Sequence, residues 1–435
     1  MKHISKTGTQ WEIPENTYKK TVLDNGLRVI TEELTPFKSA SIGLWVNVGS
    51  MIEDEKNNGI CHFIEHMLFK GTERHTATEI AELMDGVGGH LNAFTEKEQT
   101  CYYARVVDQH IPLAIDMLAE MFQTSLFDPK ELDREKNVIL DEIRMYEDSP
   151  DDVIFDMFTR SVWGDHALGR STLGTQEVIR GMSRENFLDF MAERYTPENI
   201  IIAAAGHLTH ESVVEQVSRL FGHLKKSSLD LKVSTPESAV NHIIRHKDCE
   251  QIYLCLGGNG LSQRDEDKYK LLVLDSILGG SMSSRLFQEI REKRGLVYTV
   301  CTFLNSFGHA GLFGVFAGTS NGNLSAVMDL ILSILDDIRT RGVTAEELVR
   351  AKEHIKGAIY LALESTTNRM VRLAKSESYH GRLIPHEEVI EKIMAVTVEG
   401  VNGLAARLLR PEAFSLAVLG PVSENESEIL RGKLR

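Results

Sequence analysis

The chain repeats itself over a distance far longer than a solenoid unit. Residues 196–206, TPENIIIAAAG, have a counterpart in 410–420, RPEAFSLAVLG. Each is a proline-containing turn followed by an apolar strand ending on Gly206 or Gly420. Residues 129–136, PKELDREK, have one in 345–352, AEELVRAK. Both open helices with capping signals, Asp128 with Glu131 and Thr344 with Glu347. Two matches at nearly the same separation mean that the two halves share a fold, and 435 residues exceed what one ordinary core organises.

Each half mixes strands and helices. ASIGLWVNVGS (40–50) and TCYYARVV (100–107) read as strands, whereas 59–69, 76–86, 128–147 and 183–194 read as helices, with Thr76 and Glu79 forming a capping box. The pattern predicts an α+β fold of two homologous α/β-sandwich domains, each a mostly antiparallel sheet with helices on one face. The stretch 224–238 is polar and aperiodic. The expected division is therefore 1–227, a linker at 228–240, and 241–435.

The repeat also serves as a control on one conspicuous helix. In HFIEHMLFKG (62–71), His62, Glu65 and His66 stand among apolar residues. The counterpart in the second half, LLVLDSILGG (271–280), sets Leu271, Leu274 and Asp275 against them. The architecture thus accepts apolar side chains at two of the three positions. A second helix behaves alike: Glu135 and Glu142, two helical turns apart and so on one face, align with Ala351 and Ala358. Acids and histidines are lost together in the second half.

His62 and His66 lie one helical turn apart, and Glu65 falls within the same ~100° arc. Two imidazoles so placed can hold one metal while a carboxylate reaches its water. Zinc favours two nitrogens, a carboxylate oxygen and one open position. The bland alternative is a solvated polar face, with an acidic stripe on the second helix. The apolar flanks and the paired loss in the repeat disfavour it.

H-x-x-E-H inverts the commoner H-E-x-x-H zinc motif. With Glu142 following farther along in NVILDEIRMYEDSP, the segment HFIEHMLFKGT resembles the inverzincin (pitrilysin-type, M16) zinc metallopeptidases. The resemblance runs from VLDNGLRVITEE (22–33) to FSLAVLG (414–420) and favours the processing-peptidase branch, bacterial type. It implies an M16-like fold, clamshell when dimerised, with His62, His66 and Glu142 ligating one Zn2+ per chain. Glu65 is then the general base, and Glu135 the acid that orients a ligating histidine. Asn92, Ala93 and Phe94, in LNAFTEKEQT (91–100), match the edge strand that would pair with substrate backbone by β-augmentation. Arg291 and Tyr298, in SSRLFQEIREKRGLVYTV (283–300), match an element whose guanidinium and phenol would donate to a developing oxyanion. Arg291 would end a helix and Tyr298 begin a strand.

The expected activity is a zinc-dependent endopeptidase acting on peptides or unfolded polypeptides. A homodimer would complete each site in trans with the partner's Arg/Tyr element. The alternatives are a subunit active only with a different partner chain and a noncatalytic scaffold. A net charge of −15 without a basic run argues against nucleic acid. No apolar run reaches the ~18 residues of a membrane span. The amino-terminal MKHISKTGTQWEIPENTYKK has no signal-like apolar core, so a cytoplasmic protein is expected. Five cysteines without a CxxC pair predict reduced thiols rather than a disulfide framework. LGGSMSS (278–284) matches no phosphate-binding loop, and His75, His90, His110 and His166 are given no ligand role.

Overall fold

A computed structural model describes residues 18–227 and 234–434. The segment 1–17 and about half of the expected linker, at 228–233, lie outside the described residues. In the first half six strands form one sheet: β1 (Tyr18–Val22), β2 (Arg28–Glu33), β3 (Ser39–Val46), β4 (His90–Thr95), β5 (Thr100–Val107) and β6 (Ile200–Gly206). The second half contributes β7 (His242–His246), β8 (Ile252–Asn259), β9 (Val297–Ser306), β10 (Gly311–Thr319) and β11 (Ser415–Gly420). The orders are β1-β2-β6-β3-β5-β4 and β7-β11-β8-β10-β9.

Apart from β1, the second sheet reproduces the first position for position. The repeated apolar strands β6 and β11 are the counterparts. Each runs parallel to one neighbour, β2 or β7, and antiparallel to the other, β3 or β8. All other pairings are antiparallel. Both strands are buried along their whole length, which is why they read as continuous apolar runs rather than alternating ones. The capping signals form as the sequence predicts. Thr76–Glu79 and Thr344–Glu347 make full boxes, and Asp128 accepts hydrogen bonds from Lys130 N and Glu131 N.

One face of each sheet carries that half's own helices over its own core, built on Ile42, Leu44 and Ile202 in the first half and on Leu254, Leu256 and Val418 in the second. The opposite faces are closed by an exchange. The helix Thr366–His380 places Met370, Leu373 and Ala374 against Trp45, Ile201, Ala203 and Ala205 of the first sheet. The helix Pro150–Trp163 returns Ile154, Met157 and Phe158 to Cys255, Phe316, Ala417 and Leu419 of the second. Pro150 and Thr366 open these helices at corresponding points of the repeat, just as Pro129 and Ala345 open theirs, so the exchange is reciprocal. A buried ion pair joins the halves at the first of these faces, with Arg369 Nη1 2.6 Å from Glu32 Oε1. Among the described residues no helix is long and apolar enough to cross a membrane.

Candidate metal centre

The helix Ile60–Met67 buries Ile60, Cys61, Phe63, Ile64 and Met67 in the first core and turns His62, Glu65 and His66 the other way. Its start lacks a side-chain cap because Gly59 occupies the N-cap at φ +97°, where an added Cβ would meet Leu173 O at 2.7 Å. Glu53 takes over from the preceding loop. Its two carboxylate oxygens accept from Gly59 N at 2.8 Å and Cys61 N at 2.9 Å. Burial pushes the Glu53 carboxyl up, against the pull of these amides.

The second helix, Pro129–Asp148, packs Leu132, Ile139, Leu140 and Ile143 into the same core and brings Glu135 and Glu142 to the histidines. Glu142 Oε2 stands 3.8 Å from His62 Nε2 and 3.5 Å from His66 Nε2. The two Nε2 atoms are 3.2 Å apart, and the three residues can offer ligand atoms within 4.8 Å of one another. Glu135 Oε2 lies 3.0 Å from His66 Nδ1 and Oε1 lies 2.6 Å from Lys70 Nζ. A proton on Nδ1, shared with Glu135, leaves the Nε2 lone pair of His66 directed at the cluster.

Glu65 is held by the end of the edge strand, where the Thr95 hydroxyl donates to its Oε2. Burial raises the Glu65 carboxyl above its ordinary range, with Thr95 and His66 pulling back. Burial and then the neighbouring His66 lower His62 to about 3, so its imidazole is neutral. Burial works against protonation of His66 too, but Glu135 and then Glu142 outweigh it and raise its pKa. Glu135 itself is lowered, because the bonds from His66 and Lys70 outweigh its burial.

The arrangement suits a dication. Glu142 Oε2 is buried without a hydrogen-bond partner while facing two ring nitrogens. Three carboxylates gather around the two imidazoles and the single Lys70 ammonium, a set to which one divalent ion adds compensating charge. Two imidazoles, one carboxylate and room for a further ligand match zinc's preferences. Among the described residues the second half has no equivalent: Leu271 and Leu274 are buried in its own core, and Ala351 stands where Glu135 would.

Asn92, Ala93 and Phe94 lie on β4, the outermost strand, paired through β5 with Tyr103, Tyr102 and Cys101. Asn92 Oδ1 accepts from Ala93 N at 2.8 Å, and Phe94 packs edge-on against Trp45 at 5.4 Å. A cavity of about 610 Å³ adjoins Asn92, lined by Phe69, Lys70, Met84 and Tyr103. Arg291 and Tyr298 are not members of the cluster formed by His62, His66 and Glu142. Arg291 lies in a short π-helical turn, Phe287–Glu292, with its guanidinium 4.9 Å from the Phe287 ring centroid. Tyr298 is 69 % exposed on β9, the outer strand of the second sheet.

Sequence reasoning missed Thr95, Lys70 and Glu53. A carboxylate shortly ahead of an uncapped Gly59 was a usable signal for Glu53; Thr95 and Lys70 act across elements and leave no local pattern. The unassigned histidines have other contacts: His75 Nδ1 lies 2.8 Å from Glu120, and His166 Nδ1 accepts from Leu168 N.

The family model for insulinase (peptidase family M16) matches residues 28–176, and that for the peptidase M16 inactive domain matches 181–355. The uncharacterized zinc protease YmxG of Bacillus subtilis is 41% identical over 93% of this chain and 98% of its own length. The uncharacterized zinc protease SCO5738 of Streptomyces coelicolor is 39% identical over 95% and 92%. A Helicobacter pylori protease superposes with a TM-score of 0.87 at 22% identity, over 93% of this chain and 99% of that one, a likeness of fold. With family models on both halves and such relatives along nearly its whole length, the chain belongs to peptidase family M16.

Proposed function

We propose that the chain is a zinc-dependent endopeptidase cutting peptides or unfolded polypeptides. The observation that carries this reading is the convergence of His62 Nε2, His66 Nε2 and Glu142 Oε2 beside a separately held carboxylate, Glu65. Its relatives in Bacillus subtilis and Streptomyces coelicolor, named as zinc proteases, support it. His62, His66 and Glu142 would hold the ion and Glu135 would orient His66. Bound there, zinc supplies Lewis acidity for a water and for the scissile carbonyl. Glu65 takes the water's proton and returns it to the leaving amine, a role suited to a carboxyl raised by burial yet anchored by Thr95. The exposed edge of β4 offers backbone groups to an extended substrate with little demand on its sequence.

Arg291 and Tyr298 lie in the half without the metal cluster, and Tyr298 is exposed. The proposal therefore includes a homodimer in which these two residues donate to the oxyanion in the partner's site. The primary test is Glu65→Gln, with metal analysis and mass-spectrometric mapping of peptide cleavage. The variant should bind zinc, melt like the parent and cut nothing; a zinc-loaded variant that still cuts removes Glu65 from its role.

A further inference from the structure

The two edge strands β4 and β9 end against one another. Glu98, in the turn after β4, accepts from Gly308 N, in the turn after β9, at 2.9 and 3.1 Å. Tyr379, on the exchanged helix, also bonds to Glu98. Beside this junction a cavity of about 390 Å³ opens between the helix Lys268–Leu278, the end of β9 and the exchanged helix. Lys268, Arg372, Lys375 and His380 line it together with apolar residues such as Leu272 and Leu304. No carboxylate is among its described lining residues, in a chain of net charge −15.

These cations are incompletely matched. Lys375 Nζ reaches Glu96 at 2.9 Å, but Arg372 Nη2 meets Glu32 only at 3.4 Å. Arg372 Nε is buried without a hydrogen-bond partner. Among the described residues no carboxylate is within ion-pair distance of Lys268: its Nζ donates to Gln263 O at 2.6 Å, lies 3.3 Å from His380 Nε2 and 5.4 Å from the Tyr269 ring centroid, and Glu266 and Glu388 act on it only from farther off. Burial and then the charge of Lys392 depress Lys268, and burial and then Lys268 depress His380. An anion in the cavity would relieve both.

The cavity also adjoins the end of β4. Thr95, which holds Glu65, ends β4, and the next residue, Glu96, is the partner of Lys375. We propose that this cavity is a substrate subsite for a carboxylate carried beside apolar side chains, on a peptide that pairs along β4 and continues past Thr95. The carboxylate is either the free C-terminus or an Asp or Glu side chain. This inference rests on the peptidase reading for the identity of its ligand.

The test measures binding separately from cleavage. Fluorescent peptides are made in matched pairs, free C-terminal acid against amide and internal Glu against Gln, and titrated by anisotropy into the full-length zinc-loaded Glu65→Gln chain. One pair should show the acid form binding about tenfold tighter, the size of a charge-assisted contact. Which pair does so identifies the source of the carboxylate. Lys268→Gln should abolish the preference and Lys268→Arg keep it. Leu272→Glu, at a position 37 % exposed, should abolish it by placing an acid in the cavity. Equal binding within both pairs overturns the subsite, as does a preference that survives Lys268→Gln or, should that variant not fold, Leu272→Glu. A preference without cleavage by the parent chain leaves the subsite standing and removes the peptidase reading. Cleavage without a preference does the reverse.

Discussion

The Thr95 hydroxyl at the end of β4 donates to the Glu65 carboxylate, so one side chain ties the edge strand to the proposed base. Thr95→Val keeps the shape and removes the donor. A hydrogen bond to a charged group is worth about 1.5–3 kcal/mol, so kcat should fall about tenfold to a hundredfold with zinc content unchanged. The sign of the pH effect follows as well. Burial raises Glu65 and Thr95 lowers it, so losing Thr95 moves the carboxyl further up. A base must be ionised, so the acid limb of kcat/KM shifts to higher pH. Thr95→Ser should restore both.

Removing the metal should cost stability, because ligands that converge on one point are unlinked in the unfolded chain. At free zinc a thousandfold above Kd, mass action contributes about 4 kcal/mol. Calorimetry with and without a chelator should show a fall in Tm that Glu142→Ala abolishes. Glu135→Gln should keep the site but weaken zinc binding by about 10- to 100-fold, because His66 loses its charged partner and Lys70 its counterion. Unchanged affinity in that variant would assign Glu135 to packing alone.

The exchanged helices should make the halves melt together. Leu373 is fully buried against the first sheet although it belongs to the second half. Leu373→Ala should destabilise the protein by about 2–5 kcal/mol. Glu32→Ala leaves Arg369 buried and unpaired and should cost about 3–5 kcal/mol. Calorimetry of both variants should show one transition moved downward; two separated transitions would make the halves independent.

The repeat and the candidate metal cluster were legible because each is a local pattern: an apolar strand after a proline turn, a capping signal, or side chains one or two helical turns apart. The alignment of Glu135 and Glu142 with Ala351 and Ala358 also set the acids of the candidate site apart from the shared scaffold. The exchange was not legible. Pro150–Trp163 and Thr366–His380 each carry an apolar stripe, and a stripe names no sheet. Thr95, Lys70 and Glu32 act through single contacts between distant segments, so periodicity does not record them.

Acid should weaken the clamp that follows the exchanged helix. Arg382 donates from Nη1 and Nη2 to the two Glu388 oxygens at 2.9 and 2.7 Å, lowering Glu388 to about 2. A carboxyl depressed from an ordinary ~4.3 contributes stability that is complete above that value and lost as pH falls through about 2. Glu388→Gln should therefore be less stable than the parent at neutral pH, by under about 1 kcal/mol for so open a pair, with the gap closing in acid. Urea midpoints at pH 7 and pH 2.5 measure this.

Assembly gives the sharpest contrast between the halves. The metal cluster belongs to one, Tyr298 stands exposed on the other, and a dimer in which each supplies what the other lacks predicts complementation. Glu65→Gln and Tyr298→Phe chains, each inactive alone, should regain activity when mixed and allowed to exchange. Heterodimers then carry one site with both an intact Glu65 and an intact Tyr298, and form as half of a randomised population. Activity should approach one quarter of the parent's, because only one of the two sites in half of the dimers is whole. Native mass spectrometry that shows exchange, beside an assay that shows no recovery, would place Tyr298 outside the partner's site.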